Sequence, residues 1–378
     1  MTQKVLFTTS TFSHIRNFHL PYLEYFHARG WTVHVACGGE QIDIPYADKV
    51  IPLPFRKQMQ SPDNFRAAAM LRRLIHQENY TLLSTHTALA AFFTRLAVKG
   101  LKDRPIVANT VHGYLFDDAT AGLKKNILYA AERFTASETD LLMTMNRWDN
   151  AFAREYKLGR QIVHIPGMGV NFSRFTQTTE DAGQALRAEL GISRDKFVLI
   201  YPAEFSTRKR QEMLIRAMAR LPEQAVLVLP GQGALLEDCR NLAGQLGLGG
   251  RVLFPGHVGA MAPWYAMADA AVTASRIEGL PFNVMEAMYC GLPVVASAVK
   301  GHTDLIEDGH TGLLYSYDDI DACAAALRAL MDDPDLRRRL STNARESVAR
   351  YSLEQAFPAV MAAYGTLLPD LAEQPAAV

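Results

Sequence analysis

Cysteine is scarce in this chain. Cys37, Cys239, Cys290 and Cys323 stand far apart and form no C-x-x-C pair. Thiols scattered in this way argue against a disulfide framework and against a cysteine-ligated zinc site, and they fit a reducing compartment. Long apolar runs are also missing: none approaches the roughly 18–20 residues that a membrane-spanning helix needs. Net charge is absent, with 39 Lys and Arg against 39 Asp and Glu. No helix-turn-helix, zinc-finger or RNP-type motif appears, so nucleic acid is not an expected partner. There is no internal repeat and no low-complexity segment. The opening KVLFTTS reads as a strand behind one lysine, not as a signal peptide. The expectation is a cytoplasmic protein with membrane contact that is peripheral at most.

What is present is ordinary for a soluble globular protein. The hydrophobic share is 49% and the charged share 21%. A length of 378 residues predicts two domains, because single cores stop growing near about 250–300 residues. Charge divides unevenly: residues 1–172 hold 20 basic against 14 acidic side chains, and the remainder holds 19 against 25. Apolar runs at 5–8, 31–37, 50–53, 80–84, 106–110 and 140–145 predict strands. Helical spacing at 17–29, 65–77, 88–98, 121–137 and from 148 fills the gaps between them. Further strands are predicted at 197–202, 226–229 and 252–254. Strands alternating with helices mean doubly wound parallel sheets. The predicted domains are 1–175 and 176–350, with 176–183 as the linker. Residues 351–378 would be a helix returning to the first domain, then a tail.

One stretch carries most of the chemical information. Residues 271–297 read AVTASRIEGLPFNVMEAMYCGLPVVAS, a strand, loop, helix and strand in succession. Pro281 suits the first turn of that helix, where its missing N–H would be unpaired anyway. Glu278 lies in the loop and Glu286 about one turn into the helix, with seven residues between them. Ligands of open parallel sheets bind beyond the carboxyl ends of the strands. The first N–H groups of the helix, near Gly279 and Leu280, sit at a positive dipole end suited to phosphate. Two carboxylates flanking an anion site would accept hydrogen bonds from sugar hydroxyls. Elsewhere, Pro230-Gly-Gln-Gly233 lacks the third glycine of a dinucleotide fingerprint, because Leu236 stands there. That counts against an NAD enzyme. His14, His86 and His112 each follow a predicted strand, which places them at the same functional edge.

The E-x7-E stretch resembles the donor-site signature of the retaining, GT-B-type glycosyltransferases of family 4. VLFTTSTFSHIRNFHLPYL, STHTALAAFFTRLA and NTVHGYLF resemble blocks of the bacterial capsular and exopolysaccharide members. HIPGMGVNFSRF, AEFSTRKRQEMLIRAM and GHTDLIEDGHTGLLY extend the resemblance over nearly the whole chain. Two departures stand out: Asn171 and Asp304 occupy positions where the family usually has Asp and Glu. The resemblance implies an α/β fold of two Rossmann-like domains facing a cleft, the first binding acceptor and the second the nucleotide sugar. It implies transfer of a hexose or N-acetylhexosamine, with retention, from a UDP-linked donor to a lipid-linked saccharide. His112 would lie by the reacting sugar, with Ser13 and His14 in a loop approaching the phosphates and acceptor. Lys209, helped by Arg208 and the backbone N–H groups near Gly279 and Leu280, would hold the diphosphate, with Pro281 in the same donor-binding turn. Glu278 would bind donor sugar hydroxyls and Glu286 the ribose, while the backbone of His257 and Val258 would hold the base. No cofactor or metal is expected, because the lysine and the helix end would neutralise the diphosphate. A nucleotide-sugar epimerase or hydrolase, and a non-catalytic nucleotide-sugar sensor, remain alternatives.

Two expectations come from the residues alone. The basic groups Arg66, Arg72 and Arg73, then Lys99, Lys102 and Arg104, then Lys124 and Lys125 suggest attraction to anionic lipid, each basic residue contributing about 1 kcal/mol. Lys209 and Glu278, taken as exposed loop residues, should change stability by less than about 0.5 kcal/mol when substituted.

Overall fold

A computed structural model describes residues 2–176 and 179–371. Gln177 and Thr178 of the expected linker, and most of the expected tail, lie outside the described residues. The chain divides into two compact units. One covers the described residues of Met1–Gly169 and Glu354–Val378, and the other covers those of Val170–Leu353.

The first unit is built on a seven-stranded sheet in the order β3-β2-β1-β4-β5-β6-β7. Its strands are β1 (Lys4–Thr9), β2 (Thr32–Cys37), β3 (Lys49–Pro52), β4 (Leu82–His86), β5 (Ile106–Val111), β6 (Leu141–Thr144) and β7 (Gln161–His164). The second unit holds a six-stranded sheet in the order β10-β9-β8-β11-β12-β13. Its strands are β8 (Phe197–Ile200), β9 (Ala225–Pro230), β10 (Val252–Gly256), β11 (Ala270–Thr273), β12 (Val294–Ser297) and β13 (Leu313–Tyr315). Every pairing in both sheets is parallel. Helices cover both faces, so central strands such as LLSTH and AVLVLP are buried along their full length. Each sheet changes winding direction once, between β1 and β4 and again between β8 and β11. A crevice opens at such a reversal, beyond the carboxyl ends of the two strands.

Several local expectations need correction. Ser13 and His14 are helical and not in a loop, because a helix already begins at Phe12 and runs to Phe18. Phe12 and Ile15, three residues apart, bury one face of it. A second helix, Leu20–Ala28, starts at once, with Pro21 in its first turn. Pro281 is the N-cap and precedes the helix Phe282–Tyr289 instead of lying inside it. The expected linker is partly helical, since Thr179 accepts a hydrogen bond from Ala182 N at 3.2 Å and caps Glu180–Glu189. Strands β7 and β13 were not expected. Both lie at sheet edges, are at most four residues long and are only partly buried, so neither leaves an apolar run longer than three residues to read.

Residues 170–175 group with the second unit. Val170 N donates to Tyr351 O at 2.9 Å, and the Phe172 ring stacks on Tyr289 at 4.2 Å. Asn171 accepts from Ser173 N at 3.1 Å, so the amide caps this turn as an aspartate would. The helix Leu353–Gly365 returns, from Glu354 on, to the first unit. Phe357 stacks on Tyr22 at 5.0 Å, and the hydroxyl of Tyr364 lies 2.6 Å from Ser84 Oγ.

The loop after β9 shows why its glycines are there. Gly231 and Gly233 have φ of +149° and +154°, and a Cβ on them would stand 2.0 Å from Ala203 O and 2.3 Å from Phe205 O. These glycines bring two loop backbones together and need no dinucleotide. Gly231→Ala is therefore expected to destabilise the second unit by at least about 1–3 kcal/mol, read as a lower urea midpoint. An unchanged midpoint would contradict the close backbone approach.

Candidate functional site: a buried ion triad and a histidine cluster

In the second unit, Lys209 follows β8 and Glu278 follows β11, the two strands that flank the reversal. Their loops are tied together from below. Arg276 N donates to Arg208 O at 2.8 Å, and the Tyr201 hydroxyl donates to Lys209 O at 3.2 Å. That hydroxyl also lies 2.8 Å from Ser275 Oγ, and Ser297 Oγ donates to Ser275 O at 2.7 Å. This lattice fixes the two loops on adjacent strand ends.

Glu278 then bridges two cations. Its Oε1 accepts from Lys209 Nζ at 2.5 Å, and its Oε2 accepts from Arg208 Nη1 at 2.8 Å. Glu278 and Lys209 are 7% and 9% exposed, whereas the Arg208 side chain is 40% exposed. Burial pushes the Glu278 carboxyl up, but Lys209 and then Arg208 outweigh it and hold the group down to about 2. The expectation of exposed loop residues is thus wrong for both members of this pair.

Glu286 is in a different state. It sits on the helix Phe282–Tyr289, where its Oε2 accepts from the Tyr265 hydroxyl at 2.9 Å and its Oε1 lies 3.8 Å from Arg174. Burial raises its pKa against those two partners. The two carboxylates therefore differ: Glu278 is a firmly held anion, and Glu286 takes up a proton more readily. The helix between them carries no acidic residue in its first turn, so its positive end is not neutralised from within. Gly279, Leu280 and Pro281 are all buried at that end.

Two neighbours of Glu278 were not singled out from the sequence. Gly301 has φ of +83°, and a Cβ there would lie 2.8 Å from Glu278 Cβ. Asp304 accepts from Gly301 N at 3.1 Å, which the shorter acid at this position still achieves. His302 is fully buried, and its Nδ1 donates to Ser297 O at 2.9 Å. Burial lowers its pKa to about 4, so it is neutral near pH 7. The signal for both was the GHTD run, whose packing role has no periodicity to reveal it. His257 and Val258 follow β10, the edge strand, two positions from β8. His257 is exposed there, and the structure does not bring it together with the triad.

In the first unit, β1, β4 and β5 deliver histidines to one edge. The ring of His14 meets that of His112 edge-on at 4.7 Å, and His86 Nδ1 lies 3.3 Å from His112 Nε2. His19, not singled out from the sequence, completes the group at 4.0 Å from His86 and 5.1 Å from His14. It forms the joint between two helices, Phe12–Phe18 and Leu20–Ala28. Burial lowers the pKa of His14 to about 4 and drives the other three well down. Thr87, directly after His86, holds φ +64°, a strained value for a β-branched residue. Its hydroxyl lies 2.6 Å from Ser10 Oγ. Ser13 is exposed, with its hydroxyl 3.0 Å from that of Thr11.

The triad sets a stability test. Glu278→Ala leaves Lys209 a buried charge without its carboxylate and should lower unfolding free energy by about 3–5 kcal/mol, whereas Lys209→Ala leaves Glu278 still paired with Arg208 and should cost less. The double variant Lys209→Met with Glu278→Leu should lose less than the sum of the singles. Additive losses in urea denaturation would sink the coupling. Because the folded-state pKa of Glu278 is lowered, its stabilisation is present above about pH 4.5 and is lost as pH falls toward about 2. Glu278→Gln should flatten the acid limb of the wild-type stability curve over that window.

Comparison with known proteins agrees with this geometry. The family model "Glycosyltransferase Family 4" matches residues 22–174, and "Glycosyl transferases group 1" matches residues 183–347. The chain is 33% identical to EpsD of Bacillus subtilis (strain 168), whose own glycosyltransferase assignment is provisional, with 93% of each chain covered. It is 25% identical to the UDP-Gal:alpha-D-GlcNAc-diphosphoundecaprenol alpha-1,3-galactosyltransferase of Escherichia coli, covering 75% of each. Its fold is similar to that of HepE from Anabaena in complex with UDP and glucose, with a TM-score of 0.80 and 19% identity over 97% of this chain and 100% of that one. Two parallel-sheet Rossmann-like units, matched along their length by these relatives, make this chain a GT-B glycosyltransferase of family 4.

Proposed function

We propose that this glycosyltransferase moves a hexose or N-acetylhexosamine from a UDP-linked donor to a lipid-diphosphate-linked saccharide in surface polysaccharide synthesis, retaining anomeric configuration. The observation that carries this reading is the pair of cations, Lys209 and Arg208, held on one carboxylate at the reversal of the second sheet. A diphosphate carries more charge than one carboxylate and takes over both cations on binding. They then stabilise the charge that grows on the leaving group as the glycosidic bond breaks. Glu278, released from Lys209, accepts from the sugar hydroxyls. Glu286, already a hydrogen-bond acceptor, takes the ribose. With two cations and a helix end on the diphosphate, no metal is required there. The role of His112 beside the transferred sugar, and of the loop at His257 and Val258 around the base, belongs to the same proposal. The names of two relatives support it: one protein binds UDP and glucose, and another uses UDP-Gal and a diphosphoundecaprenol-linked acceptor.

Lipid contact has a more specific support than the basic clusters. Arg66 pairs with Asp63 at 3.0 Å, Lys125 with Asp118 at 2.9 Å, and Arg104 with Asp140 at 2.6 Å, so much of that charge is spent locally. The helix Gly122–Thr135 instead shows an apolar face. Leu123, Ile127 and Phe134 are 77%, 61% and 55% exposed. Their spacing of four and seven residues places them on one side of the helix, with Lys124 and Arg133 beside them. An apolar stripe with basic flanks suits the interface of an anionic bilayer. No described helix is long and apolar enough to cross a membrane.

Two measurements test these readings. With a panel of UDP- and GDP-sugars and a lipid-diphosphate saccharide, nucleotide release should require both the UDP-sugar and the acceptor. Arg208→Ala should cut turnover by about 10²-fold or more, as removal of a charge-stabilising donor does. Acceptor-independent release would favour the hydrolase or epimerase alternative, and tight donor binding without any release the sensor. In vesicle flotation, Leu123→Asp with Ile127→Asp should abolish binding to anionic liposomes while far-UV circular dichroism is unchanged. Retained binding would remove this helix from the lipid contact.

A further inference from the structure

The histidine cluster of the first unit has a property that sugar transfer does not call on. One ligand atom from each of His14, His19 and His112 lies within 4.8 Å of the other two. His19 is fully buried, yet neither of its ring nitrogens has a hydrogen-bond partner, and Nε2 of His14 is likewise buried and unpartnered. A neutral imidazole carries one donor and one acceptor. Leaving such groups buried and unsatisfied is destabilising, because they lose their water partners and gain none. A fold tolerates that expense at sites that do something.

We propose that His14, His19 and His112 form a binding site for one late first-row divalent transition-metal ion, zinc foremost, with a fourth coordination position left open.

The donor set selects the ion. Imidazole nitrogen suits zinc, cobalt, nickel and copper, whereas magnesium and calcium take oxygen ligands. Ligands of a tetrahedral zinc at about 2.0–2.1 Å stand about 3.4 Å from one another. The three rings therefore need to draw inward by only about 1 Å each. His112 is held by a partner chain of the kind that orients metal-bound histidines. Its Nε2 lies 3.3 Å from His86 Nδ1, His86 Nε2 lies 2.9 Å from Ser84 Oγ, and Ser84 Oγ lies 2.6 Å from the Tyr364 hydroxyl. His14 and His112 are only partly buried, which leaves a path for the ion and room for a water or an anionic oxygen in the open position. His19 and His86 close the other side. The site lies wholly in the first unit, so it does not depend on the cations proposed to hold the diphosphate in the second. It does not depend on the transferase reading either.

The test uses the full chain, freed of any polyhistidine tag and stripped of metal. Equilibrium dialysis against Zn²⁺ should reach one ion per chain. Titration with Co²⁺ should give the visible ligand-field absorption of a four-coordinate nitrogen site. Saturating Zn²⁺ should raise the wild-type Tm, as a ligand that binds only the folded state does. His14→Ala and His112→Ala should each weaken Zn²⁺ binding at least tenfold and remove the Tm shift. Far-UV circular dichroism on both variants confirms the fold. His310→Ala, a substitution outside the cluster, should change neither quantity. No saturable binding by the wild-type chain, or Zn²⁺ binding unchanged in both cluster variants, would overturn the proposal.

Discussion

The second unit depends on one buried carboxylate. Glu278 is placed where two loops cross, and it can be ionised there only because Lys209 and Arg208 reach it from the neighbouring strand. In turn it neutralises a lysine that would otherwise be unpaired in a buried site. Buried pairs of this kind add little net stability, since desolvation offsets the attraction. What the pair supplies is position: a lysine held at a fixed point and a carboxylate that an arriving anion can displace. The glycine at 301 belongs to the same device, because any side chain there would strike Glu278.

Topology places that device. Strand order reverses between β8 and β11 in the second sheet, and between β1 and β4 in the first. Residues in the segments that follow these strands, together with His112 after the neighbouring β5, are the ones the fold brings together. In the second unit they are cations and a carboxylate, and in the first they are uncharged imidazoles. The same backbone plan thus presents two kinds of chemistry, one suited to phosphate and the other to soft coordination or hydrogen bonding. The division follows from the side chains that each strand end carries, not from any difference in the sheets.

The two acids of the E-x7-E stretch show how far spacing alone reaches. Spacing places one in the loop and one on the helix, and the structure agrees. It does not distinguish a carboxylate clamped by two cations from one that accepts a tyrosine hydroxyl. Nor does it reveal that Lys209 and Glu278 are buried, because their partners lie 69 residues apart in the chain. The first helix illustrates another limit. Ser10 to His14 has the composition of a loop, yet burial of Phe12 and Ile15 draws the chain into a helix from Phe12 on and leaves Ser13 facing solvent.

By itself the sequence determined the fold class, the parallel alternation of strands and helices, the family, and most of the side chains gathered at the strand ends. Those features are local: apolar runs, turn residues and short motifs act within one or two elements. Only the tertiary structure decided which charges meet, which histidines share a cluster, which basic residues are already paired and which apolar helix face stays in water. Those outcomes depend on contacts between segments far apart in the chain. The energy of a buried charge or an unpartnered ring nitrogen is set by what the rest of the fold places beside it.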